Sequence, residues 1–176
     1  MTDFYTKTCF EINGKLESLQ RLVKIHNACV RAQRNLSEPP TDLVRSMFPE
    51  WTGEDDYINP ESVTVRIVAD AEPYVGIEDC NGYADIDYIA RLLQGWLKMI
   101  DGKGVIAFEY SHDASRSVSG AYGGSAVAVS RDTIQMVDTS EVLDLMREGR
   151  YLTLDQGSTV MAKEHLGMVG PGIVRT

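Results

Sequence analysis

Apolar residues recur at three- and four-residue steps in two segments of the chain, residues 15–34 and residues 84–100. This spacing places the apolar side chains on one face of a helix, so both segments are predicted to be amphipathic helices. Asp85 and Asp87 fall in the first turn of the second helix, where the helix dipole favours carboxylates. The predicted apolar stripes consist of Leu16, Leu19, Leu22, Val23, His26, Cys29 and Val30 in the first helix, and of Ile86, Ile89, Ala90, Leu93, Trp96, Leu97 and Ile100 in the second.

A second pattern predicts the strands, namely alternation of apolar and polar residues or a run of β-branched and aromatic residues. Alternation is clearest at residues 62–69, which are predicted to form a half-buried strand. Residues 105–111 are almost all apolar and are predicted to form a buried central strand. Further strands are predicted at residues 4–12, 73–79, 125–130 and 133–137, and short helices at residues 41–48 and 138–147.

The order of these elements is strand, helix, strand, strand, helix, strand, followed by a further hairpin and a short helix. This is the split βαβ order of ferredoxin-like folds, which form an antiparallel sheet with two helices on one face. We therefore predict an α+β fold of the ferredoxin-like class with a C-terminal hairpin, short helix and extended arm. Residues 1–148 are predicted to form a single α+β domain. Residues 149–176 contain five glycines and little periodicity, and are predicted to form a peripheral C-terminal arm.

Composition places the chain among ordinary soluble proteins. With 176 residues, of which 43% are hydrophobic and 24% charged, the chain can bury a core without a disulfide or metal staple. Its cysteines, Cys9, Cys29 and Cys80, form no CxxC pair, and the start of the chain has no signal-peptide pattern. Free thiols in the cytoplasm of a host cell, no metal or other cofactor, and no membrane association are therefore expected.

The net charge of −9 is concentrated in one segment of the chain. Residues 50–87 hold eleven acidic residues and one basic residue, Arg66, whereas the rest of the chain is nearly neutral. Concentrated negative charge repels the phosphates of nucleic acids and attracts basic protein surfaces. We therefore expect no direct binding of nucleic acid, but binding to a partner protein that has a basic, nucleic-acid-binding groove. The alternative is a solvated acidic loop that only raises solubility.

The candidate partner-binding residues all come from this acidic segment. Aromatic side chains are enriched at protein interfaces and often anchor the contact. The candidate set combines three aromatic anchors with carboxylates: Glu50, Trp51, Glu54, Asp55, Asp56, Tyr57, Glu72, Tyr74, Glu78 and Asp79. Neutralising Glu54, Asp55 and Asp56 together is expected to weaken partner binding without unfolding the protein.

A polar, glycine-rich loop is predicted at residues 112–124, directly after the predicted central strand. Loops in such positions often carry function, and His112 could act there as a base near Ser115 or Ser117. A small enzyme or nucleotide-binding module would use residues of this region: Glu109, His112, Asp113, Arg116 and Tyr122. The alternative for this loop is that His112 and Asp113 form an exposed polar pair and that the glycines serve a turn at positive φ. A further alternative for the whole protein is a structural homo-oligomer that assembles through an open strand edge.

Two stretches of the chain resemble a group of small proteins, with no established activity, that occur in phages, plasmids and bacterial genomes. The first is the aromatic start, Phe4-Tyr5-Thr6 through Phe10-Glu11-Ile12, which resembles a YYT…FSF pattern. The second runs from Phe108-Glu109-Tyr110 through Tyr122-Gly123-Gly124-Ser125-Ala126 to residues 139–143. The resemblance implies a mobile-element setting and transfers no catalytic residue. Together with the acidic segment, it favours an interaction protein that inhibits a host defence system in the manner of an anti-CRISPR protein.

Overall fold

The computed structural model describes residues 4–34, 41–48, 58–115, 123–139, 142, 153–155 and 158–160. The helices whose bounds lie in these ranges are α1 (Leu16–Arg34), α2 (Asp42–Met47) and α3 (Ile86–Met99), with a short 3-10 turn at Pro60–Ser62. The strands are β1 (Phe4–Lys7), β2 (Cys9–Asn13), β3 (Val63–Val68), β4 (Tyr74–Asp79), β5 (Ile106–Ala114), β6 (Gly123–Val129), β7 (Ile134–Asp138), β8 (Thr153–Asp155) and β9 (Ser158–Val160).

The strands form two main antiparallel sheets. The strand order is β1-β5-β6-β7 in the first sheet and β2-β4-β3 in the second, while β8 and β9 pair only with each other. The predicted mixed α+β class with antiparallel sheets and a few helices is therefore confirmed. The specific ferredoxin-like arrangement is not confirmed, because the strands are divided between two sheets and the first sheet continues to β6 and β7.

Thr8 is the point at which the single strand predicted at residues 4–12 becomes two. Its carbonyl oxygen accepts a hydrogen bond from the backbone N–H of Asp79 at 3.0 Å, and its hydroxyl donates to the carbonyl oxygen of Glu109 at 2.8 Å. β1 therefore pairs with β5 up to Lys7, and β2 pairs with β4 from Cys9 onward. Both halves keep the two-residue period of a strand, so the sequence pattern cannot reveal the change of partner.

The hydrophobic core lies between these sheets and the two long helices. α1 packs on β3 and β4, α3 packs on β6 and β7, and the two helices contact each other. Trp96 joins the helices, because its indole N–H donates a hydrogen bond to the carbonyl oxygen of Ser18 at 2.7 Å. Among the buried side chains of this core are Leu19, Leu22, Ile25, Val65, Ile77, Leu93, Val127 and Val129. We call the side of the sheets that faces away from the helices the outer face.

A small polar cluster lies inside the apolar core. His26 is 6% exposed, and its ring nitrogen Nδ1 is 2.8 Å from the hydroxyl oxygen of the fully buried Tyr88. Burial lowers the pKa of His26 from 6.5 to about 4. Burial also raises the pKa of the neighbouring Cys29 thiol to about 12 and the pKa of the Tyr88 hydroxyl well above its ordinary value. All three groups are therefore uncharged in the folded protein at neutral pH, which is what an apolar core requires.

β5 is a central strand but not a fully buried one, so this part of the prediction is wrong. It lies between β1 and β6, yet its side chains alternate: Phe108 is 4% exposed, whereas Ala107 and Glu109 are exposed. The physical reason is that the described helices cover only one face of the sheet. β5 also extends beyond residue 111, so His112 and Asp113 lie in a strand and not in the predicted loop.

The C-terminal segment holds a hairpin that the sequence pattern does not predict. β8 and β9 pair antiparallel from Thr153 opposite Val160 to Asp155 opposite Ser158. Most of the helix predicted at residues 138–147 lies outside the described residues, and the division into a domain at 1–148 and an arm at 149–176 stays a prediction. Within the described ranges, no helix has the length and apolar character needed to cross a membrane.

Candidate functional site

Several carboxylates of the acidic segment lie together where β3 begins, β4 ends and α3 begins. We call this surface the acidic end and define it by Glu61, Glu78, Asp79, Asp85 and Asp87. Hydrogen bonds to Ser62 tie it together, because its carbonyl oxygen accepts from the N–H of Cys80 and its hydroxyl accepts from the N–H of Asp85, both at 3.0 Å. The N–H of Asn59 donates to the Asp85 carboxylate at 2.7 Å, so the chain that follows residues 50–57 joins the molecule at the acidic end.

The structure does not bring all candidate partner-binding residues to this end. Glu78 and Asp79 belong to it, whereas Glu72 and Tyr74 lie at the opposite end of β4. A strand of this length spans roughly 17–20 Å, so the two pairs form separate parts of the surface. Six candidates lie outside the described residues: Glu50, Trp51, Glu54, Asp55, Asp56 and Tyr57.

Two carboxylates of the acidic end hold backbone N–H groups in place. Asp85 is the N-cap of α3, and its side chain accepts a hydrogen bond from the N–H of Tyr88 at 2.9 Å. Asp79 accepts from the N–H of Gly82 at 2.7 Å. Gly82 has a φ of 74°, a conformation that favours glycine. These two acids therefore have a structural role in addition to their charge.

Two further carboxylates of the acidic end are partly offset by arginines. Glu61 forms an ion pair with Arg34 at the end of α1, and Glu78 lies 3.8 Å from the Arg66 guanidinium. Both pairs are exposed to solvent, where an ion pair contributes little to stability. Asp87 is exposed in the first turn of α3. The acidic end thus combines internally paired carboxylates with at least one that faces the solvent.

Replacing Asp85 and Asp87 in turn is expected to separate the structural acid from the surface acid. Asp85→Ala should lower the free energy of unfolding by about 1–2 kcal/mol, because it removes a helix N-cap. Asp87→Ala removes the same charge from the same helical turn and should change it by less than about 0.5 kcal/mol. Urea denaturation followed by circular dichroism at pH 7 measures both values, and equal losses would contradict the capping role.

The described residues of the second candidate site, at residues 109–124, do not all lie on the same face of the first sheet. Neighbouring residues of a strand point to opposite faces, so His112 points to the helix side and Asp113 to the outer face. On the outer face, the Asp113 carboxylate lies 3.2 Å from the Lys7 ammonium, and the hydrogen bond from Lys7 lowers the pKa of Asp113. The predicted pairing of His112 with Asp113 is therefore wrong. Arg116 and Tyr122 lie outside the described residues.

His112 instead meets polar side chains from two other strands. Its Nδ1 is 3.4 Å from the hydroxyl oxygen of Thr6 on β1, and its Nε2 is 4.0 Å from the carboxylate of Asp138 on β7. Asp138 also accepts a hydrogen bond from the Ser125 hydroxyl at 2.8 Å. Gly123 of β6, the strand between β5 and β7, lies opposite His112 and has no side chain, which leaves room for the contact between His112 and Asp138. An imidazole between a hydroxyl and a carboxylate has the arrangement of a general base with an orienting group.

A groove of about 690 Å³ lies on the outer face of the first sheet. Small residues of β5 and β6 line it, Ser111, Gly124 and Ala126, and Thr8 and Cys9 line it where β1 passes into β2. Grooves of this size that are lined mainly by apolar groups, with a few polar ones, are the usual form of binding sites. Sequence reasoning missed this groove, although small residues at alternate positions of β6 were a readable signal.

The two described glycines of this region lie in a strand and not in a turn. Gly123 and Gly124 belong to β6, and among the described glycines only Gly82 has a positive φ. The N–H of Gly124 donates to the Thr139 hydroxyl at 3.1 Å. The predicted turn at positive φ is therefore wrong for these two residues. Gly124 lines the groove, where it adds no side chain, whereas Gly123 lies opposite His112.

Side chains suited to a metal ion are not gathered at either site: the described ranges hold no group of three or more His, Cys, Asp or Glu residues that could bind one. Comparison of the chain with models of protein families, with curated proteins and with solved structures finds no match. The resemblance to small proteins of phages and plasmids stays a prediction.

Proposed function

We propose that this protein is an interaction protein that binds a basic, nucleic-acid-binding surface of a partner through its acidic end. The observation that carries the proposal is the hydrogen bond from the N–H of Asn59 to the Asp85 carboxylate. It fixes the point at which the chain carrying Glu54, Asp55 and Asp56 joins the acidic end. Three residues of chain span at most about 11 Å, which limits how far Asp56 can lie from Asn59.

Concentrated charge of one sign suits a rapid, salt-sensitive association with a surface of the opposite sign. A groove that normally holds nucleic acid offers such a surface. Occupation of the groove by this protein excludes the nucleic acid and inhibits the partner at a ratio of one to one. Combined with the mobile-element setting that the resemblance implies, the proposed role is inhibition of a host defence system, as by an anti-CRISPR protein.

Two triple variants with the same change in charge test this proposal. The first replaces Glu54, Asp55 and Asp56 by their amides. The matched control replaces Glu11, Asp70 and Asp132 by their amides. Asp70 lies in the β3–β4 turn and Asp132 in the β6–β7 turn, both away from the acidic end, and all three residues are exposed. The immobilised wild-type protein is first used to capture host proteins from lysate at low and moderate salt. The affinity of each variant for the captured nucleic-acid-binding protein is then measured.

We expect the first triple variant to bind at least about tenfold more weakly, and the control to stay within about threefold of the wild-type protein. Far-ultraviolet circular dichroism checks that both variants are folded. Equal affinity of the two variants would contradict a role of the acidic end, and retention of no nucleic-acid-binding protein would contradict the choice of partner.

A small enzyme is the second candidate function, and the position of His112 between Thr6 and Asp138 favours it. In this case His112 accepts a proton during the reaction, and Asp138 orients its ring. Stoichiometry separates the two functions, because an inhibitor saturates at one copy per target whereas an enzyme acts well below that ratio. His112→Gln should abolish an enzymatic effect and leave a stoichiometric one unchanged.

We also propose that the two sheets derive from a ferredoxin-like pairing. The support is that the N-terminal segment pairs with β5 through β1 and with β4 through β2, while β4 pairs with β3. The break at Thr8 divides this pairing between two sheets, and β6 and β7 extend it. An experimental structure in which β2 lies between β4 and β5 would support this relation, and one in which a strand other than β5 pairs with the free edge of β2 would contradict it.

A further inference from the structure

The groove on the outer face has the dimensions and the polar groups of a binding site for a polypeptide segment. Its volume of about 690 Å³ lies in the range of ligand sites, and its lining combines short side chains of β5 and β6 with Val137 and Thr139 at the β7 side. The opposite side is formed by Thr8 and Cys9, where β1 passes into β2. An extended chain can lie across such a surface without displacing a large side chain.

The charge of the groove favours a cation. Glu109 and Asp79 line it, and the described residues offer the Glu109 carboxylate no hydrogen bond or ion pair. The one cation in the described lining, Lys7, has its ammonium 3.2 Å from the carboxylate of Asp113. Among the described residues the Glu109 carboxylate thus has no cation of its own, and a guanidinium or ammonium group of a bound segment can supply one.

The backbone beside the groove offers a second type of contact. In the described part of the chain β2 pairs with β4 alone, and β1 pairs with β5 only as far as Ser111. The facing edges of β2 and of the first half of β5 are not paired with each other, and Phe10 of β2 stacks on Phe108 of β5 with ring centroids 4.5 Å apart. Backbone N–H and C=O groups at these edges can therefore bond to a peptide that lies across the outer face, but not to a strand inserted between them.

We propose that the groove binds a short, extended, basic segment of the partner protein, with one arginine or lysine side chain placed beside Glu109. This inference rests on the proposed function, since it supposes a basic partner. The groove would provide a second contact with the partner, in addition to the acidic end. The two surfaces adjoin, because Asp79 belongs to the acidic end and also lines the groove. The acidic end attracts the basic surface, and the groove selects a segment of defined shape.

The test uses a defined probe, an acetylated and amidated hexapeptide in which arginine alternates with alanine. A hexapeptide with glutamate in place of arginine is its control. Ala126→Tyr fills the lining of the groove, and Ala126 is exposed in β6, so the change leaves the core intact. Glu109→Gln removes the unpaired charge. Glu11→Gln removes an exposed charge from the outer face of β2, outside the lining of the groove.

Isothermal titration calorimetry at low salt should show binding of the arginine peptide and none of the glutamate peptide. We expect Ala126→Tyr to weaken the binding at least about tenfold, Glu109→Gln about three- to tenfold, and Glu11→Gln less than about twofold. Thermal unfolding of each variant shows whether the fold is intact. Absence of binding to the wild-type protein, or the same loss in Glu11→Gln as in Glu109→Gln, would overturn the inference.

The Glu54, Asp55 and Asp56 triple variant keeps this outcome separate from that of the proposed function. If Ala126→Tyr weakens peptide binding and the triple variant weakens only the captured partner, both proposals stand. If the triple variant weakens binding of both ligands while Ala126→Tyr changes neither, the acidic end alone binds and the groove proposal is wrong. If Ala126→Tyr weakens both ligands and the triple variant neither, the groove is the binding site and the role of the acidic end is wrong.

Discussion

Lowering the pH from 7 to 4 is expected to destabilise the protein through one buried side chain, His26. The pKa of His26 is about 4 in the folded protein and 6.5 without burial. Below pH 6.5 the unfolded chain therefore binds a proton that the folded protein does not, and stability falls as the pH falls toward 4. The loss should be about 2 kcal/mol at pH 5 and about 3 kcal/mol at pH 4.

The surroundings of His26 explain why its protonation is so unfavourable. The ring is 6% exposed and lies between the hydroxyl of Tyr88 and the apolar side chains of the core. Neither Tyr88 nor Cys29 carries a negative charge that could stabilise an imidazolium, because burial keeps both groups protonated. The charged ring would thus be buried without a counter-ion, and unfolding is the way to hydrate it.

Urea denaturation at intervals between pH 7 and pH 5 measures this effect, since most carboxylates stay ionised in that range. His26→Leu should be less stable at pH 7, because it leaves the Tyr88 hydroxyl without its histidine partner, but its stability should change much less with pH. His112→Gln is the control, because it removes a partly exposed histidine and keeps His26, so its stability should fall with pH as in the wild-type protein. An unchanged pH dependence in His26→Leu would contradict the assignment.

The helices and their buried faces could be predicted from the sequence because their signal is local. The stripes predicted for residues 15–34 and 84–100 became α1 and α3, whose bounds are Leu16–Arg34 and Ile86–Met99. The predicted stripes differ from the buried faces in two ways. Leu16 is 39% exposed, and Ile25, Tyr88 and Leu92 are buried although the stripes do not include them. The sequence predicts Asp85 in the first turn of the second helix, whereas the structure has it as the N-cap directly before α3, where its carboxylate accepts from the N–H of Tyr88.

Strand pairing and the candidate sites depend on contacts that no local pattern records. Thr8 changes the partner of the first strand through bonds to Asp79 and Glu109, which lie far along the chain. Thr6 and His112 are 106 residues apart, and only the pairing of β1 with β5 brings them together. For the acidic segment, the sequence reveals the charge but not the positions of the charged residues. Glu72 and Glu78 are separated by the length of β4, which only the structure shows.

Tyr88 illustrates why a polar core residue escapes a search for apolar periodicity. The predicted stripe of α3 does not include Tyr88, yet its side chain is fully buried and stacks on Phe48 with ring centroids 5.7 Å apart. Its hydroxyl also meets His26, which lies 62 residues away on α1. Tyr88 therefore joins α3 to α1 and to the segment at the end of α2, and its loss should affect all three contacts.

Tyr88→Ala is expected to lower the free energy of unfolding by about 3–5 kcal/mol, because it leaves a ring-sized cavity in the core. Tyr88→Phe keeps the ring and should cost about 1–3 kcal/mol, since it leaves the buried His26 nitrogen without its partner. In a His26→Leu background the same Tyr88→Phe change should cost clearly less, because the hydroxyl no longer has an imidazole to bond. Urea denaturation at pH 7 of the two single variants and the double variant measures this coupling. Strictly additive losses would mean that the hydroxyl and the imidazole do not stabilise each other.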